Sequence, residues 1–175
     1  MKKIITIFGS AKPTLNDEQY LTAYTLGKNL ASMNFDICTG GFNGIMEAAS
    51  KGAVEGGGEA YGVTVNLWGA KTNKYVTKEI VCDTLFERIN KLIELGDGFA
   101  VLQGGTGTLL ELAAVWEYIN KDMMKSKPVA CHSSIWKSIV ETMNLQMKFE
   151  GRRVDVVKPC SSVEEIVKYL HEKLT

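Results

Sequence analysis

Three times along this chain a short apolar run ends in glycine and gives way to a helical pattern. The runs are Lys3–Phe8 before Gly9-Ser10, Phe35–Cys38 before Thr39-Gly40-Gly41, and Phe99–Leu102 before Gln103-Gly104-Gly105. Runs this short, bounded by turn residues, read as buried strands. Ala60–Val65, Pro128–Cys131 and Val154–Val157 read the same way, which makes six strands. Helical patterns lie between them. The first starts at Asn16 or Asp17 and carries Tyr20, Ala23, Tyr24, Leu30 and Ala31. The second is capped by Asn43 and stopped by Gly56-Gly57-Gly58, and the third is opened by Thr84 with Glu87 in a capping box. A fourth follows Gly105, a fifth covers Ile135–Phe149, and the last covers Val163–Leu174 after Ser161 or Ser162. Strict alternation with no hairpin signal predicts an α/β fold, a parallel sheet with helices on both faces, over residues 1–175 as one domain. Ligands in such folds bind at the carboxyl ends of the strands, where the three glycine loops fall.

The third loop carries the most chemistry. In Gln103-Gly104-Gly105-Thr106-Gly107-Thr108-Leu109-Leu110-Glu111 a strand, a glycine turn and a helix start follow one another. Glycine admits a ligand close to the backbone, and the free N–H groups of the first helical turn favour an anion. Gly104, Gly105, Thr106, Gly107 and Thr108 are thus the expected phosphate cradle, with Gly9, Ser10, Gly40, Gly41 and Gly44 from the other loops beside it. The loop lacks the Gly-Lys-Ser/Thr of a Walker A motif. A dinucleotide fingerprint fails too, because the second strand ends in Thr39-Gly40-Gly41, without an acid for a ribose diol.

Two readings of Glu111 stand side by side. Thr108-Leu-Leu-Glu111 fits a capping box, in which the carboxylate only ties back to the helix start. Alternatively, a carboxylate among Leu109, Leu110, Leu112, Ala113, Val115, Trp116 and Ile119 is half-buried, and then needs a partner or a shifted pKa. Arg88 falls on the edge of the stripe Leu85, Ile89, Leu92 and Ile93. Its ordinary fate is a stem on apolar surface and a head in water. Its helix, however, leads through Gly96-Asp97-Gly98 into the strand before the glycine loop, which puts Glu111 or a phosphate within its reach. The stretch from Asn66 to Asp83, with Trp68, Gly69 and several lysines, shows no clear period and reads as a lid or as a plain surface loop.

Composition narrows the classes. Twenty basic residues balance twenty acidic ones with no basic stripe, so nucleic acid is not an expected partner. No stretch is long enough to span a membrane, and the apolar run at the start ends at Gly9-Ser10 without a cleavage pattern. Cys38, Cys82, Cys131 and Cys160 form no Cys-x-x-Cys pair and read as reduced, cytoplasmic thiols. The two histidines, His132 and His171, are far apart in sequence, which leaves no metal centre or Ser-His-Asp triad to expect. His132 is placed beside the pocket and His171 at the surface.

The residues also carry a family resemblance. Gly104-Gly105-Thr106-Gly107-Thr108-Leu109-Leu110-Glu111 resembles the Pro-Gly-Gly-x-Gly-Thr-x-x-Glu hallmark of LONELY GUY-type proteins, the cytokinin riboside 5′-monophosphate phosphoribohydrolases. Phe8-Gly9-Ser10 and Gly40-Gly41-x-x-Gly44-Ile45-Met46 are similar to that family's other two loops. The resemblance implies a Rossmann-like, doubly wound, three-layer fold and a homodimer or larger homo-oligomer. It implies hydrolysis of a nucleoside 5′-monophosphate to free base and ribose 5-phosphate, with no cofactor. Glu111 then takes the family's catalytic glutamate, and Arg88 the arginine of its Met-x-x-Arg-Lys motif. The pattern departs at Gln103 for proline, at Ile89 for lysine and at Phe42-Asn43 for small residues. Relatives of this type include molybdenum-cofactor-carrier-like proteins, which implies the alternative of a non-catalytic nucleotide- or molybdopterin-binding protein. The lysine-decarboxylase label borne by many members finds no pyridoxal motif here.

Overall fold

The computed structural model describes residues 2–66, 69 and 71–175. In chain order the elements are β1 (Lys3–Phe8), α1 (Glu18–Ser32), β2 (Phe35–Thr39), α2 (Ile45–Glu55), β3 (Ala60–Val65), β4 (Lys78–Cys82), α3 (Leu85–Leu95), β5 (Gly98–Val101), α4 (Thr106–Asn120), β6 (Val129–His132), α5 (Ser134–Phe149), β7 (Val157–Cys160) and α6 (Val163–Leu174). The strands form one seven-stranded sheet in the order β4-β3-β2-β1-β5-β6-β7. Every pairing is parallel. Helices cover both faces, which makes the three-layer Rossmann-like arrangement expected of alternating strands and helices.

The central strands are apolar at successive positions because both of their faces are covered. All five residues of β2 and all four of β5 are buried. Ile5 and Ile7 pack with α1, α2 and α6, through Leu26, Leu30, Ala49 and Ile166. Phe8, Phe99 and Val101 pack with α3, α4 and α5, through Leu92, Leu112, Trp116 and Val140. Burying a side chain of this size contributes about 1.5–3 kcal/mol, so each layer is held chiefly by its apolar stripe.

Two strands differ from the expectation by more than one residue at an end. β4 lies inside the stretch read as irregular. It is an edge strand that begins Lys78-Glu79 and leaves Val81 exposed, so charge at its start and a solvated face hid it. The final strand runs from Val157 to Cys160, three residues beyond the expected Val154–Val157. It contains Pro159, a residue tolerated only on a sheet edge, and follows Asp155 at φ 57°, which turns the chain first. Leu67, Trp68 and Ala70 of the same irregular stretch lie outside the described residues.

Capping chemistry accounts for the helix starts. Thr84 and Glu87 form the reciprocal box, with Thr84 Oγ1 accepting from the Glu87 amide at 3.2 Å and Glu87 Oε2 accepting from the Thr84 amide at 3.1 Å. Ser162 accepts from the Glu165 amide at 3.3 Å. Asp17 stands at the start of α1 but turns back to Thr14 instead. Asn43 does not cap α2; Gly44 holds that position.

Candidate functional site

β2, β1 and β5 are neighbours in the sheet, so the loops that follow them meet at one edge. The strand order reverses between β1 and β5, where parallel α/β sheets open a crevice for ligands. Backbone hydrogen bonds tie the three loops together. The Ser10 amide donates to Gln103 O at 3.0 Å, and the Ile45 amide donates to Ser10 O at 2.9 Å. Gly44 makes that second contact feasible. It sits at φ 68°, and a Cβ there would lie 2.4 Å from Ser10 O.

Gly105 contrasts with it. Its φ of −99° suits any residue, and a Cβ there would meet nothing within 4 Å. Neither backbone nor packing demands glycine at this position, yet it stands as N-cap of α4 with no side chain capping the helix. Gly107 is equally open, and Thr106 is exposed beside it. Thr108, by contrast, is buried under Gly104. The open face of the loop is therefore Gly105, Thr106 and Gly107, the first amides of α4, where the helix dipole favours negative charge.

One turn further along α4 lies the pair formed by Arg88 and Glu111. Arg88 is 5% exposed, against the usual fate of its head in water. Its Nε donates to Val63 O at 2.8 Å, its Nη2 to Gly40 O at 3.2 Å, and its Nη1 to Glu111 Oε1 at 3.4 Å. The Phe42 ring lies 5.7 Å from the guanidinium carbon, within cation–π range. Gly40 is required here by close approach, since a Cβ would fall 1.8 Å from Arg88 Nη2. α4 starts at Thr106 with Gly105 as N-cap, so Thr108 and Glu111 form no capping box. That reading of Glu111 is overturned.

The electrostatics of the pair follow from burial. Desolvation raises the Glu111 carboxyl from an ordinary 4.5 to about 7, although the Arg88 charge and hydrogen bond pull it down. Desolvation also lowers Arg88, against the pull of Glu111. The guanidinium stays charged at any physiological pH because its intrinsic pKa is so high. Glu111 is thus a carboxylate that exchanges its proton near neutrality beside a fixed cation. Carboxyl groups poised in this range suit general acid–base chemistry or the stabilisation of a developing positive charge.

Two contributors have roles that the sequence did not announce, although Phe42 already stood out as a departure from small residues. Phe42 interrupts a run of small residues, and its ring packs on Arg88. Asn73, buried in the connection between β3 and β4, donates from Nδ2 to Gly41 O at 3.1 Å and to Phe42 O at 2.9 Å. Its amide also donates to Gly41 O at 2.8 Å. Contacts made across separate segments have no local pattern to read.

His132 lines a cavity with Glu18, Ser133, Ile45 and Gln103, the last two from the junction of the glycine loops. Its Nδ1 is 3.1 Å from Cys160 O, and a carbonyl only accepts, so Nδ1 carries the proton. His171 is half-buried with its ring edge on Phe35, rather than at the surface as expected. All four cysteines are buried free thiols in strands, and burial pushes Cys38 up to about 12. Among the described residues no cluster of three His, Cys, Asp or Glu side chains is placed to hold a metal. No described helix is long and apolar enough to cross a membrane.

Known proteins share this architecture. The chain is 29% identical over 108 residues, 57% of its length, to a pyrimidine/purine nucleotide 5′-monophosphate nucleosidase of Escherichia coli (strain K12). It spans only 24% of the length of that relative. The molybdenum cofactor binding protein from the phototrophic bacterium Rippkaea orientalis superposes with a TM-score of 0.79 at 25% identity, covering 100% of this chain and 99% of that one. The molybdenum cofactor carrier protein of Chlamydomonas reinhardtii, at 24% identity and a TM-score of 0.77, covers 99% of both chains and shares the fold. A family model matches residues 2–158, a span that holds all three glycine loops together with Arg88 and Glu111. By that match, and as a divergent relative of the LONELY GUY-type proteins, the chain belongs to the SLOG cluster4 family.

Proposed function

We propose that this protein is a nucleoside 5′-monophosphate phosphoribohydrolase, releasing free base and ribose 5-phosphate. The observation that carries the reading is the buried Arg88–Glu111 pair beside an open glycine loop, 3.4 Å apart with the carboxyl poised near neutrality. The 5′-phosphate docks on the amides of Gly105, Thr106 and Gly107 at the start of α4, with Ser10 at the rim. Breaking the C1′–N bond sends its electrons to the base and leaves positive charge on the ribose ring, as in glycoside cleavage. Ionised Glu111 stabilises that charge and orients the water that adds at C1′, whose proton is released as the base is protonated. Arg88 fixes the orientation of Glu111. The nucleosidase relative supports this class of reaction.

Leu109 and Leu110 on α4 are about two-fifths exposed, at 40% and 37%. An apolar helix face of this kind supports a homodimer through the helices. The free thiols fit a cytoplasmic setting.

A second reading rests on the near-complete overlap with the Rippkaea molybdenum cofactor binding protein: a carrier that holds a nucleotide or molybdopterin without turnover. Purified protein incubated with a panel of nucleoside 5′-monophosphates, followed by chromatography for free base, separates the two. Base release that disappears in Glu111→Gln supports the hydrolase. Saturable binding without release from any nucleotide favours the carrier.

A further inference from the structure

The Arg88–Glu111 pair is held by more than its own two residues. Three of the contacts on Arg88 come from outside α4: Val63 O on β3, Gly40 O, and the Phe42 ring. Two of these belong to the loop after β2, a run of glycines with little stiffness of its own. Gly41 sits at φ 79° and carries no side chain to anchor it. The Gly41 amide donates to Thr39 Oγ1 at 3.1 Å, and the carbonyls of Gly41 and Phe42 are anchored by Asn73, from the connection between β3 and β4.

Asn73 is 8% exposed and its hydrogen-bonding capacity is spent on the loop and on its own turn. Its Nδ2 donates to Gly41 O at 3.1 Å and Phe42 O at 2.9 Å, its backbone amide to Gly41 O at 2.8 Å, and its Oδ1 accepts from the Tyr75 amide at 3.0 Å. One side chain thus fixes the carbonyl of the Gly41–Phe42 peptide bond and the next carbonyl along, that of Phe42. The residues just before and at that bond, Gly40 and Phe42, are the ones that touch the guanidinium.

We infer that Asn73 is a positioning residue for the Arg88–Glu111 pair: by pinning the carbonyls of Gly41 and Phe42, it keeps Gly40 O and the Phe42 ring where they press Arg88 toward Glu111. The inference about geometry stands apart from turnover; only its catalytic consequence rests on the hydrolase reading. With Asn73 truncated, the loop relaxes, Arg88 moves away, and Glu111 is left buried with a weaker cation beside it. Its carboxyl then takes up a proton at higher pH, because Arg88 is what holds it down.

The test uses the full chain with Asn73→Leu, uncharged and close in volume, and Asn73→Ser, which keeps one donor. Carboxyl-labelled glutamate, with the Glu111 signal assigned through Glu111→Gln, is titrated by NMR. The expected result is a Glu111 midpoint displaced upward by about one pH unit in Asn73→Leu and by less in Asn73→Ser. With an active substrate in hand, kcat falls about ten- to a hundredfold while KM moves far less. Where Asn73→Leu does not fold, Asn73→Ser decides. A folded variant with a lower melting temperature and an unmoved Glu111 midpoint makes Asn73 a merely structural residue and overturns the inference. Absence of base release by the wild type would sink the hydrolase reading alone, since the titration reads the pair without turnover.

Discussion

Arg88 Nη1 lies 3.4 Å from Glu111 Oε1 across the gap between α3 and α4, with both side chains largely removed from water. A buried ion pair costs desolvation that its attraction only partly returns, so such a pair is weak evidence for stability. Here the imbalance is visible in the acid itself, whose carboxyl stays above its ordinary range despite the neighbouring cation. Burial therefore outweighs attraction at this pair. Its partners on the arginine side, Val63 O and Gly40 O, place it beside the glycine loops.

Removing the cation should be severe. Arg88→Met leaves Val63 O and Gly40 O without their donors and Glu111 without its partner. Breaking a buried pair from one side costs about 3–5 kcal/mol, and urea denaturation at pH 8 should show a loss of that size. At pH 5 the loss should shrink, because Glu111 is then neutral. An equal loss at both pH values would mean that the pair is not what Arg88 stabilises.

Stability should depend on pH through Glu111 in a particular direction. The carboxyl binds its proton more tightly folded, at about 7, than unfolded, near 4.5. Its contribution is therefore fully present below about pH 4.5 and is lost as pH rises through about 7. The loss amounts to roughly 3 kcal/mol at most, since each tenfold change in proton affinity is worth about 1.4 kcal/mol. Glu111→Gln, which cannot ionise, should flatten this part of the profile in melting curves taken from pH 4.5 to 8. A wild-type profile already flat across that window would show that Glu111 is not raised.

The glycines of the site should separate into two kinds. Gly44→Ala forces a side chain onto Ser10 O at φ 68° and should cost about 2 kcal/mol or more, by calorimetry. Gly105→Ala meets no protein atom within 4 Å, so its stability should change by less than about 1 kcal/mol. Its methyl group would instead occupy the face offered to a phosphate. Nucleotide binding by isothermal titration should weaken about tenfold or more, a loss near 1.4 kcal/mol. Unchanged affinity would place the phosphate elsewhere.

The apolar face of α4 gives a fourth measurement. Leu110→Glu puts a charge on a position 37% exposed in the single chain and should be nearly neutral for folding. If that face pairs two copies, sedimentation should show a dimer for the wild type and a monomer for the variant. A wild-type monomer at tens of micromolar would remove the homodimer from the proposed function.

Much of the fold could be read from local signals. β3 was legible to the residue because apolar residues between turn signals leave little choice. Thr84 with Glu87, and Ser162, announced their helices because a cap is a contact between near neighbours in sequence. The edge strands resisted. β4 starts with a lysine and a glutamate and β7 contains a proline, both features of strands with one edge free, which only the finished sheet defines.

The site divides along the same line. By itself the sequence determined the α/β alternation, the three glycine loops and their place at strand ends, because short-range sterics and hydrophobic period govern those. Tertiary structure decided which partner Glu111 has. Thr108-Leu-Leu-Glu111 satisfies a capping pattern, and only the start of α4 at Thr106, with Arg88 arriving from α3, excludes it. Packing of distant segments likewise brought Asn73 to the Gly41–Phe42 peptide and the Phe42 ring to Arg88. A hydrogen bond between residues more than thirty positions apart leaves no period or local motif in the chain, so it exists only once the sheet has set the loops side by side.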